Sequence, residues 1–211
     1  MTNPDDEGFI PPSGGYENLL SYQKALIIYD GTYFFTKKWL PRHGDRTVDQ
    51  MVQAARSGKQ NIVEGSSASA TSKEMEIKLT NVARSSLEEL KEDYKDFLRT
   101  RQLPIWDAGH RYRQRLEQLN RTPGATYETF KKGIESDDPE ISANVLLGLT
   151  AVAVHLLKRQ ISSLEQSFLK EGGLRERMTR ARLRARDQQR QANPEKRDPR
   201  DDNDPKAPRK K

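Results

Sequence analysis

The 211-residue chain contains no cysteine. That removes disulfides, thiolate zinc sites, iron–sulfur clusters and cysteine nucleophiles together, and it fits a reducing cytoplasm. Apolar residues are scarce as well: 33% are hydrophobic and 7% aromatic, against 32% charged. Typical globular domains have roughly 45–50% apolar residues (Gly counted) and about 25% charged ones. Such a chain builds a modest core, completed by partner subunits or flanked by unfolded ends. Histidine is rare too. His43, His110 and His155 stand far apart, none follows a Glu at the spacing of a di-iron bundle, and no HExxH occurs. Phosphate-binding GxxxxGK[ST] and the GxSxG elbow are also missing. The expectation is a protein that is not an enzyme, with no metal, cofactor or catalytic residue.

No basic-then-apolar leader opens the sequence, since Met1 to Tyr16 is acidic and rich in Pro and Gly. The longest stretch without formal charge, Ile141 to Leu157, contains Ser142, Asn144, Thr150 and His155. A bilayer span takes about 20 apolar residues. The stretch is therefore read as a helix buried in a bundle and at a subunit interface, with His155 packed in the core or that interface and no membrane partner.

What the chain does have is basic charge, unevenly placed. Lys and Arg number 37 against 31 Asp and Glu, for a net +6. Residues 1–18 carry four anions and no cation, whereas residues 172–211 carry 14 cations against 7 anions. A nearly neutral body with a cationic appendage points to a polyanionic partner.

The periodicity predicts helices. The first, 19–40, has Leu19, Tyr22, Leu26, Tyr29, Tyr33 and Leu40 as its apolar side, with Lys24, Asp30, Lys37 and Lys38 elsewhere, and ends at Pro41. The second, about 48–64, is capped by Thr47 and stops at Gly65. The third, 72–101, opens at a capping box starting on Thr71. It carries Met75, Leu79, Val82, Ala83, Leu87, Leu90, Tyr94, Phe97 and Leu98 in steps of three and four. An insertion at 105–138 holds a short basic helix, Trp106 to Leu119, and a turn or two around Tyr127 and Phe130. The fourth long helix, 139–171, opens on Asp138-Pro139 and closes at Gly172-Gly173.

A basic helix over 172–192 follows, and residues 1–15 and 193–211 read as disordered. The fold class expected is all-α: an antiparallel up-down four-helix bundle over 16–171, with an inserted helical segment, a basic C-terminal helix and a disordered tail. Glu88, Glu89, Glu92, Asp93 and Asp96 crowd one side of the third helix. They read as a solvated face, or as a docking face for the arginine helix or a basic partner.

Four short pieces go beyond periodicity: Gln50 to Ser57, Asn61-Ile62-Val63-Glu64-Gly65, Ser72-Lys73-Glu74, and Ala83 to Leu90. In this order and spacing, with Tyr22 to Ala25 before them, they resemble the four-helix-bundle family of 23S ribosomal RNA intervening-sequence proteins. That bacterial family includes the accessory variability determinant of diversity-generating retroelements. The chain departs from the family pattern at Gln53, Gly58-Lys59 and Ser85, and it is longer by the insertion and the C-terminal extension. The resemblance implies a ring-like homo-oligomer, with a pentamer favoured, that binds nucleic acid and in retroelements a reverse transcriptase. It implies no catalytic residue.

The residues expected to contact phosphates are Arg175, Arg177, Arg180, Arg182, Arg184, Arg186 and Arg190 in the tail helix. Lys37, Lys38, Arg42 and Arg46 around the first turn join them. Arginine forks suit phosphate oxygens, and such contact with RNA or DNA is largely independent of sequence. Trp and Tyr are read as lying on apolar faces, so base stacking is not expected. The alternative is a protein-interaction scaffold whose basic tail binds an acidic protein partner.

Overall fold

The computed structural model describes residues 15–40 and 46–192. A 3₁₀ turn, Tyr16–Asn18, leads into α1 (Leu20–Trp39), α2 (Arg46–Ala68), α3 (Lys73–Thr100), α4 (Arg111–Asn120), α5 (Tyr127–Ile134), α6 (Pro139–Glu171) and α7 (Leu174–Ala192). The described residues form no strand. The fold is helical, and α1 packs on α2 and α6, while α3 packs on the same two helices. The expected disordered segments, save Gly15, lie outside the described residues.

Local chemistry sets most helix ends. Ser72 caps α3 by accepting the Met75 amide at 3.2 Å, so the cap is Ser72 and not the expected Thr71. Beyond α3, Gln102 adopts φ 57°, and Pro104 prevents renewed helix. Asp138 accepts the Glu140 amide at 2.9 Å and Pro139 opens α6, as expected. Gly172, at φ 73°, ends it.

Four long helices share one core. Phe35 of α1 meets Tyr94 and Phe97 of α3 edge to face, with ring centres 5.2 and 4.7 Å apart. Full burial of such a side chain stabilises by roughly 1.5–3 kcal/mol. The buried Tyr94 hydroxyl shares a 2.8 Å hydrogen bond with Thr32. Thr32, Thr80 and Thr150 are buried, and each donates to the carbonyl one turn earlier, so none of these three hydroxyls is orphaned. Ser57 and Ser86 hydroxyls meet at 2.9 Å between α2 and α3, and Ser21 donates to Gln160 at 2.8 Å between α1 and α6. Glu88 of α3 pairs with Lys158 of α6 at 3.1 Å.

The structure corrects several expectations. α1 buries Ala25, Ile28, Thr32 and Phe35, together with Lys24, whereas Leu26 and Tyr33 are exposed. Its apolar residues run almost all round, so spacing alone chose the wrong face. Small Gly31 sits where α6 comes nearest: a Cβ there would lie 2.6 Å from Leu146 Cδ2. In α3, Met75 and Val82 are exposed while Glu76 and Thr80 are buried. α2 starts at Arg46, which puts Thr47 inside the helix, and it continues past Gly65 to Ala68. Gly65 is not a left-handed terminator; it is a buried helical contact with α3, near Leu79 and Thr80.

α4 begins at Arg111 rather than Trp106. Among the described residues, α6 alone is long and apolar enough by length and composition to cross a membrane. Its Ala143, Leu146, Leu149, Ala153 and Leu157 are fully buried in the shared core. His155, expected to be packed, is exposed in the chain by itself, because it points away from that core.

Candidate nucleic-acid interface

Gly172 and Gly173 break the chain after α6, and α7 follows as a separate helix of 19 residues, about 28 Å long. Its described side chains are exposed except Leu174 and Ala181, which are half-buried. The first turn lies beside the start of α3, near Ser72 and Lys73. At 100° per residue, Leu174, Met178, Ala181 and Ala185 form one narrow stripe. Arg175, Arg182 and Arg186 flank it on one side, and Arg180 and Arg184 on the other. Arg175, Arg182, Arg184 and Arg186 form no ion pair among the described residues. The side chains of Arg177 and Arg190 lie outside the described set, as does Arg42.

The second expected group is elsewhere. Lys38 donates to Asp137 Oδ1 at 2.7 Å and to the carbonyls of Ser136 and Glu135 at 3.0 and 3.3 Å. It ties the end of α1 to the α5–α6 connection, and its bond and charge hold the Asp137 carboxyl below the usual range. Lys37 rests over the Tyr33 ring at 4.1 Å. Arg46 lines a polar cleft between α2 and α3 together with Asp49, Glu89 and Asp93. Lys38 sits at the N-terminal end of α6 and α7 departs from its C-terminal end. The 33 residues of α6 separate the two groups by roughly 50 Å. The structure therefore does not unite the described members of the two expected groups in one patch.

The acidic run of α3 also divides. Glu88 turns to α6, where partial burial opposes but Lys158 and Arg84 prevail in holding its carboxyl low. Glu89 and Asp93 turn to α2. Burial first, then the like charges of Asp96 and Glu89, push the Asp93 carboxyl up. Glu92 pairs with Lys95 and Asp96 with Arg99 on the outer side. The outer acids are solvated, as one reading expected, whereas α7 starts beside Ser72 and Lys73 and its Arg175, Arg182, Arg184 and Arg186 form no ion pair with the run, so the arginine helix does not dock on it.

The outward face of α6, with Gly148, Ala151, Val152, His155 and Leu156, borders an apolar groove of about 320 Å³ beside α4. Among the described residues no group of three His, Asp or Glu side chains gathers as a metal site would require. Sequence reasoning also missed a cluster in the insertion. Because Trp106 precedes α4, its ring folds back onto His110 and Tyr112. The signal was an aromatic residue interleaved with alternating arginines in Arg111-Tyr112-Arg113-Gln114-Arg115. Comparison with protein-family models, curated proteins and solved structures gave no match.

Proposed function

We propose that this chain is a non-catalytic, cytoplasmic, oligomeric nucleic-acid-binding accessory protein, and that α7 is its principal phosphate-binding element. The observation carrying this reading is an arginine-rich helix held off the core, its described arginines exposed on both sides of a thin apolar stripe. Buried structural helices do not carry five net positive charges, whereas polyanion binding uses them directly.

The reading includes an up-down four-helix bundle. Support comes from the contacts: Gly58 near Leu87 and Gly65 near Leu79 suit antiparallel α2 and α3, and Ser21 with Gln160 and Gly31 near Leu146 suit antiparallel α1 and α6. Self-association, with a pentamer favoured by the family resemblance, would cover the apolar outer face of α6 and set several α7 arms around one polymer, raising affinity through effective concentration. The same resemblance makes a reverse transcriptase the candidate protein partner.

Salt dependence tests this. Log affinity for RNA or DNA should fall linearly with log salt, by about 0.7 to 0.9 per phosphate neutralised. Deleting residues 174–211 should flatten that slope. A chain that ignores both nucleic acids in dilute buffer but captures an acidic protein through α7 would establish the scaffold alternative instead.

A further inference from the structure

The insertion carries its own arrangement, distinct from α7. The segment before α4 is pinned to α6: the Trp106 amide donates to Asn144 Oδ1 at 2.9 Å and its indole N–H to Glu140 Oε1 at 2.8 Å. Asn144 in turn donates to the Pro104 carbonyl at 2.9 Å. Trp106 is 5% exposed, so it is a fixed base for what rests on it. The His110 ring stacks on it at 4.7 Å and 15°, and Tyr112 stands 5.5 Å from Trp106 and 5.6 Å from His110. Tyr112 is 40% exposed. It borders a cleft of about 520 Å³ between α4, α5 and the start of α6, floored by Leu116, Phe130 and Val145 and edged by Arg115 and Lys132.

The charge of this region is biased by geometry, not by composition. Glu117 pairs with Arg113 and Glu128 with Lys131, while Glu140 receives the Trp106 indole and Glu135 the Tyr127 hydroxyl. Arg111, Arg115 and Lys132 are left without an ion pair among the described residues. Arg111 lies over Tyr112, 4.6 Å from the ring centre, and donates to its hydroxyl at 2.9 Å, a place that an incoming base would take over.

We propose that this cleft is a second binding site, which takes an unpaired nucleotide of single-stranded RNA or DNA with its base against Tyr112 and its phosphates on Arg115 and Lys132. The proposal rests on the nucleic-acid reading above and adds the strand type and the residues. The volume lies in the range of small-molecule sites, roughly 300–1,000 Å³. An exposed aromatic ring braced from behind, beside unpaired cations, is the arrangement that binds single strands without base readout. A duplex hides its base faces from such a ring.

The test is anisotropy of a labelled uridine or thymidine oligonucleotide, and of a duplex, with the full chain and its variants across a salt series. Tyr112→Ala should weaken single-strand binding about tenfold at unchanged salt slope and leave the duplex unaffected. Tyr112→Phe should retain most of the affinity. Arg115→Gln with Lys132→Gln should lower the single-strand slope by roughly 1.4, from two phosphates at about 0.7 each. Removing 174–211 should weaken both ligands. Single-strand binding untouched by Tyr112→Ala or by the double variant, while the α7 deletion abolishes it, overturns the cleft and leaves the broader reading intact. Equal losses on duplex and single strand also overturn it, since the cleft would then be a plain phosphate contact. No binding by the full chain overturns both.

Discussion

Lys24 lies buried on α1, its ammonium 4.5 Å from the centre of the Phe130 ring and without a hydrogen-bond partner. Burial lowers its pKa from 10.5. Because the charged form is the one the fold disfavours, the penalty is full below the folded pKa. It fades as pH rises from there to the unfolded value. A desolvated cation over an aromatic ring recovers about 2 kcal/mol, against the several kcal/mol that an unpaired buried ion costs. Lys24→Met should therefore stabilise the fold by about 1 kcal/mol or more at neutral pH. Urea titrations along a pH series should show that advantage shrinking toward pH 10.5. A variant less stable than the parent at pH 7 would contradict this.

Asp93 offers the complementary case. Its raised pKa disfavours the carboxylate, so its contribution to stability is present in acid and is lost as pH climbs through the folded value. Asp93→Asn should raise the thermal midpoint slightly at pH 7 and not below the ordinary carboxylate range. Thermal scans at both pH values read this out. Neither residue was legible in advance. Lys24 was expected off the apolar side of the first helix, and Asp93 was one member of an acidic run whose division between α2 and α6 depends on neighbouring helices.

At the scale of the element, close helix contacts decide which small residues matter. A Cβ on Gly58 would lie 2.6 Å from Leu87 Cδ2 and 2.7 Å from its Cγ, and Leu87 is fully buried. Overpacking of that kind costs about 1–3 kcal/mol, which outweighs the roughly 1 kcal/mol that Ala gains over Gly in a helix. Around Gly65 the nearest atoms would be at 3.4 Å, ordinary contact. Gly58→Ala should therefore destabilise and Gly65→Ala should stabilise, each read from the denaturation midpoint. The opposite order would mean that α2 and α3 do not meet as described. Helix existence was plain from the three-four steps, and α6 and α7 fall where Asp138-Pro139 and Gly172-Gly173 put them. The face of α1 was not, because apolar side chains nearly encircle it. The start of α4 was not either, because Trp106 is held by Asn144 and Glu140, 38 and 34 residues away in sequence but adjacent only after folding.

For the whole molecule, the part of the outer face of α6 that α4 leaves open, around Ala151 and His155, and the polarity between the two ends carry the expectations. Light scattering should find an assembly larger than one chain. Ala151→Glu with Val152→Glu, on the outer face of α6 and away from the core, should reduce it to monomers with the helical spectrum retained. A monomeric parent would remove the multiplied display of α7. A monomeric variant should lose affinity for long polymers far more than for short oligonucleotides.

Sequence by itself determined the helical class, the absence of any thiol chemistry, the placement of basic charge in the last forty residues and the caps that open α3 and α6 within a residue. These follow from local rules: periodicity, composition, and a side chain bonding to a backbone amide two or three positions away. Only the tertiary structure decided which side of α1 is core, that Gly65 lies inside a helix, and that Lys38 is tied to Asp137 far from α7. It alone gathered Trp106, His110 and Tyr112 beside unpaired cations. The reason is physical: burial, desolvation and ion pairing depend on what a neighbouring helix brings within a few ångströms, and spacing along one chain carries no record of that neighbour.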